Sequence, residues 1–180
     1  MRLDHVAYRV FDRRKTAKFF VDAFGYKVQT EFDLVFPDGS TTECIALEPP
    51  EKVENAPWQH CHVIDSANIN YHLAPEIFVS DGPIGSIVGD WVAARNSIGG
   101  IHHLAYQVES VEDKMKEWKE KGYAEFLSEN VLKCPEDDLV QVFTKPSELT
   151  GVIYEFISRG KHGFCKSNVK QLMLSTKKCL

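Results

Sequence analysis

The sequence predicts an α+β protein in which two tandem βαβββ modules form a cup-shaped mixed sheet, followed by a C-terminal helix. Two observations carry this prediction. The segment LDHVAYRV at residues 3–10 returns as IHHLAYQV at residues 101–108. Each copy is followed by a helical pattern that ends at a Gly-Tyr dipeptide, first at residues 25–26 and then at residues 122–123. Because strand, helix and stop recur together, we interpret the chain as a duplicated unit.

Length and composition favour a single globular domain over residues 1–180. The chain is 43% hydrophobic and 26% charged, which is ordinary for a globular protein. Its formal net charge of −5 argues against nucleic-acid and anionic-membrane partners, because no excess of basic residues is present to neutralise phosphates. No apolar run approaches the ~20 residues that span a bilayer.

The cysteines indicate a reducing compartment. They are odd in number and scattered, and no two of them form a C-x-x-C pair. This pattern is typical of reduced thiols rather than of a disulfide framework. The N-terminus enters a strand pattern without a signal peptide, so we expect a cytoplasmic protein. The five are Cys44, Cys61, Cys134, Cys165 and Cys179.

Module one is predicted over residues 1–82. After its first strand, four apolar residues recur with the spacing of one helical face and a glycine ends the pattern. These residues are Ala17, Phe20, Val21, Phe24 and Gly25. Three further strands are predicted at Lys27–Leu34, Thr41–Glu48 and Pro75–Ser80.

Module one also carries an insertion at about residues 49–73. The segment is irregular and has no counterpart of similar length in module two. A loop of this length can form a lid or a substrate wall, and it can equally be a solvated excursion. His60 and His62 would share one face of a strand, but no second pair of ligands accompanies them for a zinc site.

Module two is predicted over residues 100–159, after a linker helix within residues 83–99. Ser110 and Asp113 form a capping-box pattern, and Val111, Met115 and Trp118 form the apolar face of the helix. A C-terminal helix is predicted at residues 165–177, where apolar residues recur at helical spacing. The strands of module two are predicted at Ala124–Leu127, Leu139–Thr144 and Gly151–Ser158.

Alternation along the strands directs chemically reactive residues into the cup. His5 lies on the face opposite to Val6 and Tyr8, which suit packing against the helix, and His103 occupies the matching position of the repeat. Glu155 sits within the apolar strand GVIYEFIS, where a carboxylate is costly unless it is paired or bound to a metal.

Two-fold pseudosymmetry predicts that four side chains meet at the centre of the cup. Glu76, on the last strand of module one, is comparable in position to Glu155 and would join it and the two histidines; equally, at the start of its strand beside Pro75, it could be solvated. Imidazole together with carboxylate suits Fe, Mn, Co, Ni or Zn. His102 alternates out of the cup, and we expect it behind the ligands or at the surface.

The duplicated strands and GVIYEFIS resemble the vicinal oxygen chelate superfamily over nearly the whole chain. This superfamily includes glyoxalase I, methylmalonyl-CoA epimerase, extradiol dioxygenases and bleomycin-resistance proteins. The resemblance implies a divalent metal in the cup and a small carboxylate or keto-acid substrate. Many members dimerise, so it also implies a homodimer.

The second half resembles the catalytic domain of 4-hydroxyphenylpyruvate dioxygenase, with its Gln-x-Phe-Thr-Lys-Pro strand and closing helix. The resemblance implies that His5, His103 and Glu155 bind Fe(II) and that the substrate is a small α-keto acid. Two departures concern the substrate. Val169 replaces an aromatic ring of the closing helix, and the chain has one pair of modules rather than two. Implied substrate-binding residues are Gln141, Phe143, Phe164 and Ser80.

The segments EIFVSDGPIGSIVGDWV and GGIHHLAYQV also resemble methylmalonyl-CoA epimerase. That resemblance implies Glu76 as a fourth ligand and Glu43 as a general base, with Co, Mn, Ni or Zn as the metal. Equally, Glu43 could be an exposed strand residue. A third interpretation is a non-catalytic relative that binds small molecules, although such relatives usually lack the metal ligands that this chain retains.

Overall fold

The computed structural model describes residues 1–50, 74–160 and 163–179. Most of the insertion, with Trp58, His60 and His62, lies outside the described residues. The elements of module one are β1 (Arg2–Val10), α1 (Arg13–Phe24), β2 (Lys27–Val35), β3 (Thr41–Glu48) and β4 (Glu76–Asp81). Helix α2 (Ile87–Ala93) links them to module two, which comprises β5 (Gly99–Gln107), α3 (Val111–Glu120), β6 (Leu132–Lys133), β7 (Val140–Phe143) and β8 (Ile153–Ser158). The chain closes with α4 (Lys166–Ser175) and a 3₁₀ turn (Thr176–Lys178).

The strands form one mixed sheet that confirms the predicted fold class. Their order is β2-β3-β4-β1-β5-β8-β7-β6. The first strands of the two modules, β1 and β5, pair antiparallel at the centre, and each pairs in parallel with the last strand of its own module. This arrangement gives the molecule its pseudo-two-fold symmetry and brings the repeated histidine strands side by side.

The helices divide between the two faces of the curled sheet. On the outer face, Val6 packs with Ala17 of α1, and Phe156 packs with Met115 of α3. On the inner face, Trp91 of α2 joins Ala7 in a separate core cluster. Helix α4 contributes Val169 and Met173 to that same cluster. The cup is therefore closed by α2 and α4, while α1 and α3 support it from behind.

Local signals in the sequence explain where the helices begin and end. The Asp12 carboxylate accepts a hydrogen bond from the backbone of Lys15, and the Ser110 hydroxyl accepts one from the backbone of Asp113. Gly25 ends α1 in the left-handed conformation, with φ of 74°, which glycine adopts without strain. No helix among the described residues is both long and apolar enough to cross a membrane.

One predicted strand is wrong. The segment Ala124–Leu127 forms an isolated bridge, between Phe126 and Thr144, and the short strand β6 lies further along the chain at Leu132–Lys133. The apolar side chain that suggested a strand instead packs on the outer cluster, where the Phe126 ring lies 6.3 Å from that of Phe156. Phe126 is therefore apolar because it packs in the tertiary structure, and not because it belongs to a regular strand.

The expectation that all cysteines are reduced is also wrong. Cys134 and Cys165 form a disulfide between Cα atoms 6.2 Å apart, and it links the loop after β6 to the start of α4. Cys44 is a buried free thiol. The two bonded residues are 31 positions apart and meet only because α4 folds back over the sheet, so spacing along the sequence could not pair them.

Candidate metal centre

A β-bulge precedes each of the two repeated histidines. In the β1–β5 ladder the pairing skips Asp4, just before His5, and skips His102, just before His103. An extra residue in a bulge turns toward the same side as its neighbour instead of alternating. Both side chains are buried, with Asp4 6% and His102 4% exposed. His102 also lines the cavity, so the expectation that it points out of the cup is wrong, because strict alternation fails at a bulge. Its 2.8 Å contact with His103 Nδ1 agrees with the expected position behind the ligands.

His5, His103 and Glu155 converge at the centre of the cup. The two histidine Nε2 atoms are 3.3 Å apart. Glu155 Oε2 lies 3.3 Å from His5 Nε2 and 3.2 Å from His103 Nε2. Metal bonds of about 2.0–2.2 Å place neighbouring donors about 2.8–3.6 Å apart around an octahedral or tetrahedral ion. The spacing and the chemistry of these three buried donors therefore fit a divalent metal.

Asp4 orients the first histidine. His5 Nδ1 lies 2.8 Å from Asp4 Oδ1, so the Nδ1–H donates to the carboxylate and Nε2 is left to face the centre. Burial alone would lower the pKa of His5, but the charge of Glu155 and the bond to Asp4 outweigh it and raise this pKa to about 9. Arg159 in turn holds Asp4, with its Nε 3.1 Å from both carboxylate oxygens.

The second histidine has a different neighbour. His103 Nδ1 lies 2.8 Å from His102 Nδ1, so one of the two nitrogens carries the shared hydrogen. Burial lowers the pKa of His103 and outweighs the attraction of Glu155. Burial lowers the pKa of His102 still further, aided by the charge of Arg9, so His102 is neutral.

A chain of amides holds the glutamate. Gln141 Nε2 donates to Glu155 Oε1 at 2.6 Å, and Asn168 Nδ2 of α4 donates to Gln141 Oε1 at 3.1 Å. Burial would raise the pKa of Glu155, but the charge of His5 and hydrogen bonds from both histidines lower it, so the group is a carboxylate. Sequence reasoning missed Asn168. The sequence feature that could have indicated it is a polar residue next to Val169, on the face of α4 that packs inward.

The three donors line a small, largely apolar cavity of about 30 Å³. The structure brings Gln141, Phe143 and Phe164 to its wall, together with Phe78 and Val169, while their contact with a substrate stays a prediction. The Phe143 ring lies 4.7 Å from that of His103, and the Phe164 ring lies 5.1 Å from that of His5. Such a wall limits access of water to the donors.

Two other predicted residues do not line this cavity. Glu76 accepts from Arg159 Nη2 at 2.7 Å and stands outside the group of three donors. Ser80 is buried beside Arg9 in the β1–β4 register, and its hydroxyl donates to the backbone oxygen of Tyr8 at 3.4 Å.

The expectation that Glu43 acts as a general base is corrected by its position. Its neighbour on β3, Cys44, packs in the inner cluster, so alternation turns Glu43 to the outer face. There it forms an ion pair with Arg13. The sheet itself separates this carboxylate from the cavity, as expected for an exposed strand residue.

Solved structures with similar folds include two classes of enzyme. A mutant of 4-hydroxymandelate synthase from Streptomyces coelicolor superimposes with a TM-score of 0.75 at 20% identity, over 98% of this chain and 53% of that one. A methylmalonyl-CoA epimerase superimposes with a TM-score of 0.64 at 22% identity, over 89% of this chain and 97% of that one. The epimerase from Mycobacterium tuberculosis gives 0.62 at 17% identity, over 89% of each chain.

This chain thus spans about half the length of the synthase and nearly the full length of the epimerases. At these identities the likeness shows the fold alone. No curated protein sequence matches this chain significantly. A family model described as "Glyoxalase/Bleomycin resistance protein/Dioxygenase superfamily" matches residues 2–129, which is more than half of the chain. With the paired modules and the central His-His-Glu group, this match shows that the chain belongs to the glyoxalase/bleomycin resistance protein/dioxygenase superfamily.

Proposed function

We propose that the protein is a divalent-metal-dependent oxygenase, with Fe(II) favoured, that acts on a small 2-oxo acid or a related oxygen-chelating substrate. The observation that carries the proposal is the convergence of His5, His103 and Glu155 in an apolar cavity. Two imidazoles and one carboxylate on one side of an ion leave positions for both substrate and oxygen. When bound, Fe(II) would supply the activation of dioxygen and the chelation of the keto acid.

The residues of the chain have three tasks in this proposal. Asp4 and His102 orient the two imidazoles, and the Gln141–Asn168 pair orients Glu155. The aromatic wall excludes water from the reacting groups. Helix α4 carries both Asn168 and part of the wall, so it couples closure of the cavity to the position of Glu155.

An isomerase of the epimerase type is the second candidate, favoured by the length that this chain shares with epimerases. It would use Co, Mn, Ni or Zn to stabilise an enolate and would need a base beside the substrate. Glu43 is on the outer face and Glu76 is bound to Arg159. Among the described residues that line the cavity, the one carboxylate is Glu155. Because Glu155 is assigned as a metal ligand, it cannot also be the separate base that an isomerase needs, and we therefore favour the oxygenase.

Oxygen uptake by protein loaded anaerobically with Fe(II) tests the proposal. We expect at least one member of a panel of 2-oxo acids to stimulate uptake, with release of carbon dioxide. The His103→Ala variant should lose metal binding and keep its fold, whereas Glu43→Gln, a matched change outside the cavity, should keep both. Full metal stoichiometry in His103→Ala would contradict the ligand assignment. Exchange of a substrate C–H in deuterated water by Co(II)-loaded protein, without oxygen uptake, would favour the isomerase.

A further inference from the structure

We propose that Phe78 sets the number of protein ligands of the metal at three. Its side chain occupies the place that the pseudo-two-fold symmetry assigns to a second carboxylate, and it leaves that side of the ion to an exogenous ligand. This inference rests on the proposed function, since it concerns an ion held by His5, His103 and Glu155.

The register of the sheet identifies the residue of module one that matches Glu155. On β8, Glu155 pairs with Ala105, which lies two residues after the repeated histidine of β5. On β4, Phe78 pairs with Ala7, which lies two residues after the repeated histidine of β1. Both pairings are parallel, so the two-fold relation that exchanges β1 with β5 places Phe78 where module two has its carboxylate.

Phe78 faces the three donors. Its side chain is buried, and it lines the same cavity as His5, His103 and Glu155. The two-fold relation exchanges the two histidines, so a side chain at position 78 approaches the point between their Nε2 atoms from the side related by symmetry to Glu155. A carboxylate at this position would bind the ion, whereas a phenyl ring offers no donor atom.

Glu76 is not the symmetric counterpart of Glu155, although the sequence pattern made the two comparable. It pairs with His5 itself, two positions earlier on β4 than Phe78. Its carboxylate accepts a hydrogen bond from Arg159 Nη2 at 2.7 Å. Among the described residues, Glu76 belongs neither to the group of three donors nor to the cavity wall. Strand β4 therefore supplies no carboxylate to the ion from either position.

The side of the ion that Phe78 leaves open is bounded by aromatic rings. The Phe78 ring lies 4.9 Å from that of Phe164, which in turn lies 5.1 Å from the His5 ring. An exogenous ligand on this side would have these two phenyl rings as neighbours and no competing protein donor. Because the cavity measures only about 30 Å³, a small anion is a suitable probe of the open position.

Azide binding to Co(II)-loaded protein tests the inference without relying on turnover, because azide changes the visible absorption of Co(II) when it binds the ion. We expect saturable binding of azide to the wild-type protein. Phe78→Glu should bind Co(II) about tenfold or more tightly than the wild type, because it adds a ligand. The same variant should bind azide about tenfold or more weakly, because the added carboxylate takes one position on the ion and repels a second anion.

Phe78→Gln is the matched control, because its side chain has the size of the introduced glutamate and carries no charge. It removes the same aromatic packing, so it separates the cost of losing the ring from the gain of a ligand. We expect it to bind both Co(II) and azide within about twofold of the wild type. Co(II) binding by Phe78→Glu that is no tighter than that of Phe78→Gln would overturn the inference.

Glu76→Gln tests the ligand number without a change in the core. Glu76 is partly exposed, and Arg159 retains its Nε contacts with both oxygens of Asp4 in this variant. We expect its Co(II) affinity to stay within about twofold of the wild type. A loss of about tenfold or more would show that Glu76 is a fourth ligand and would refute the role of Phe78. Wild-type protein that binds no Co(II) would instead contradict the proposed function.

Discussion

At the scale of single residues, the two copies of the strand differ in the group that supports each histidine. Asp4 and His102 occupy matching bulges, yet one is an anion and the other a neutral imidazole. Against the effect of burial, the charge of Glu155 and the hydrogen bond to Asp4 raise the pKa of His5, whereas burial lowers the pKa of His103. The backbone is thus duplicated symmetrically, but the two candidate ligands differ in pKa and in the charge of the group beside them.

Asp4→Asn should weaken metal binding. The asparagine amide carries no negative charge, so it accepts a weaker hydrogen bond from His5 Nδ1 than the carboxylate does. The tautomer and the orientation of the His5 ring are then held less firmly. We expect the dissociation constant for Co(II) or Zn(II) to rise about 10–100-fold, measured by competition with a chelator. Asp33→Asn, on an exposed position of β2, should leave it unchanged. Equal affinities in the two variants would show that Asp4 has no orienting role.

Gly99→Ala should destabilise the protein strongly. Gly99 has a φ of 82°, and an added Cβ would overlap the backbone oxygen of Arg9 on the neighbouring strand. We expect the free energy of unfolding to fall by more than about 3 kcal/mol in chemical denaturation. Gly39→Ala shares a positive φ but meets no atom within 4 Å, so it isolates the cost of the backbone conformation. A loss no larger than that of Gly39→Ala would refute the close approach.

At the scale of elements, α4 both covers the cavity and contacts the residues that hold Glu155. Its Val169 packs in the inner cluster, and its Asn168 reaches Glu155 through Gln141. The Cys134–Cys165 disulfide anchors the start of this helix to the loop after β6. The position of α4 therefore depends on a covalent link as well as on apolar packing.

Reduction of this disulfide should lower stability. Opening a link across 31 residues restores freedom to the unfolded chain, at a cost to folding of about 2–4 kcal/mol. Denaturation with and without a thiol reductant measures the difference. The Cys134→Ser variant should be less stable than the wild type and insensitive to the reductant. Identical stability of wild-type protein in both conditions would contradict a contribution from the link.

At the scale of the whole molecule, the candidate metal centre draws its donors from both modules. His5 comes from β1 of module one, while His103 and Glu155 come from β5 and β8 of module two. A bound ion would therefore tie the two halves together across the central β1–β5 pairing. Binding that requires the folded arrangement adds to the free energy of unfolding.

Metal should stabilise the protein more at pH 8 than at pH 6. The pKa of His5 rises from 6.5 to about 9 on folding, so its proton stabilises the metal-free protein below pH 6.5, and this contribution is lost as pH rises through 9. Metal must displace the same proton, so its affinity grows over that range. Tm measured with and without Zn(II) or Co(II) should show the larger gain at pH 8. In His103→Ala the gain should vanish at both pH values, and a gain independent of pH in the wild type would contradict this coupling.

The sequence by itself determined the duplicated modules, the α+β class and the convergence of His5, His103 and Glu155, because strand alternation and internal repetition are local properties that a single chain displays. Only the tertiary structure decided the roles of Asp4, His102 and Asn168, the exclusion of Glu43 from the cup, and the Cys134–Cys165 link. Bulges change which face a side chain occupies, and they are defined by the pairing of two strands rather than by either strand alone. Contacts between residues far apart in sequence likewise depend on how α4 and the sheet pack, which no local pattern encodes.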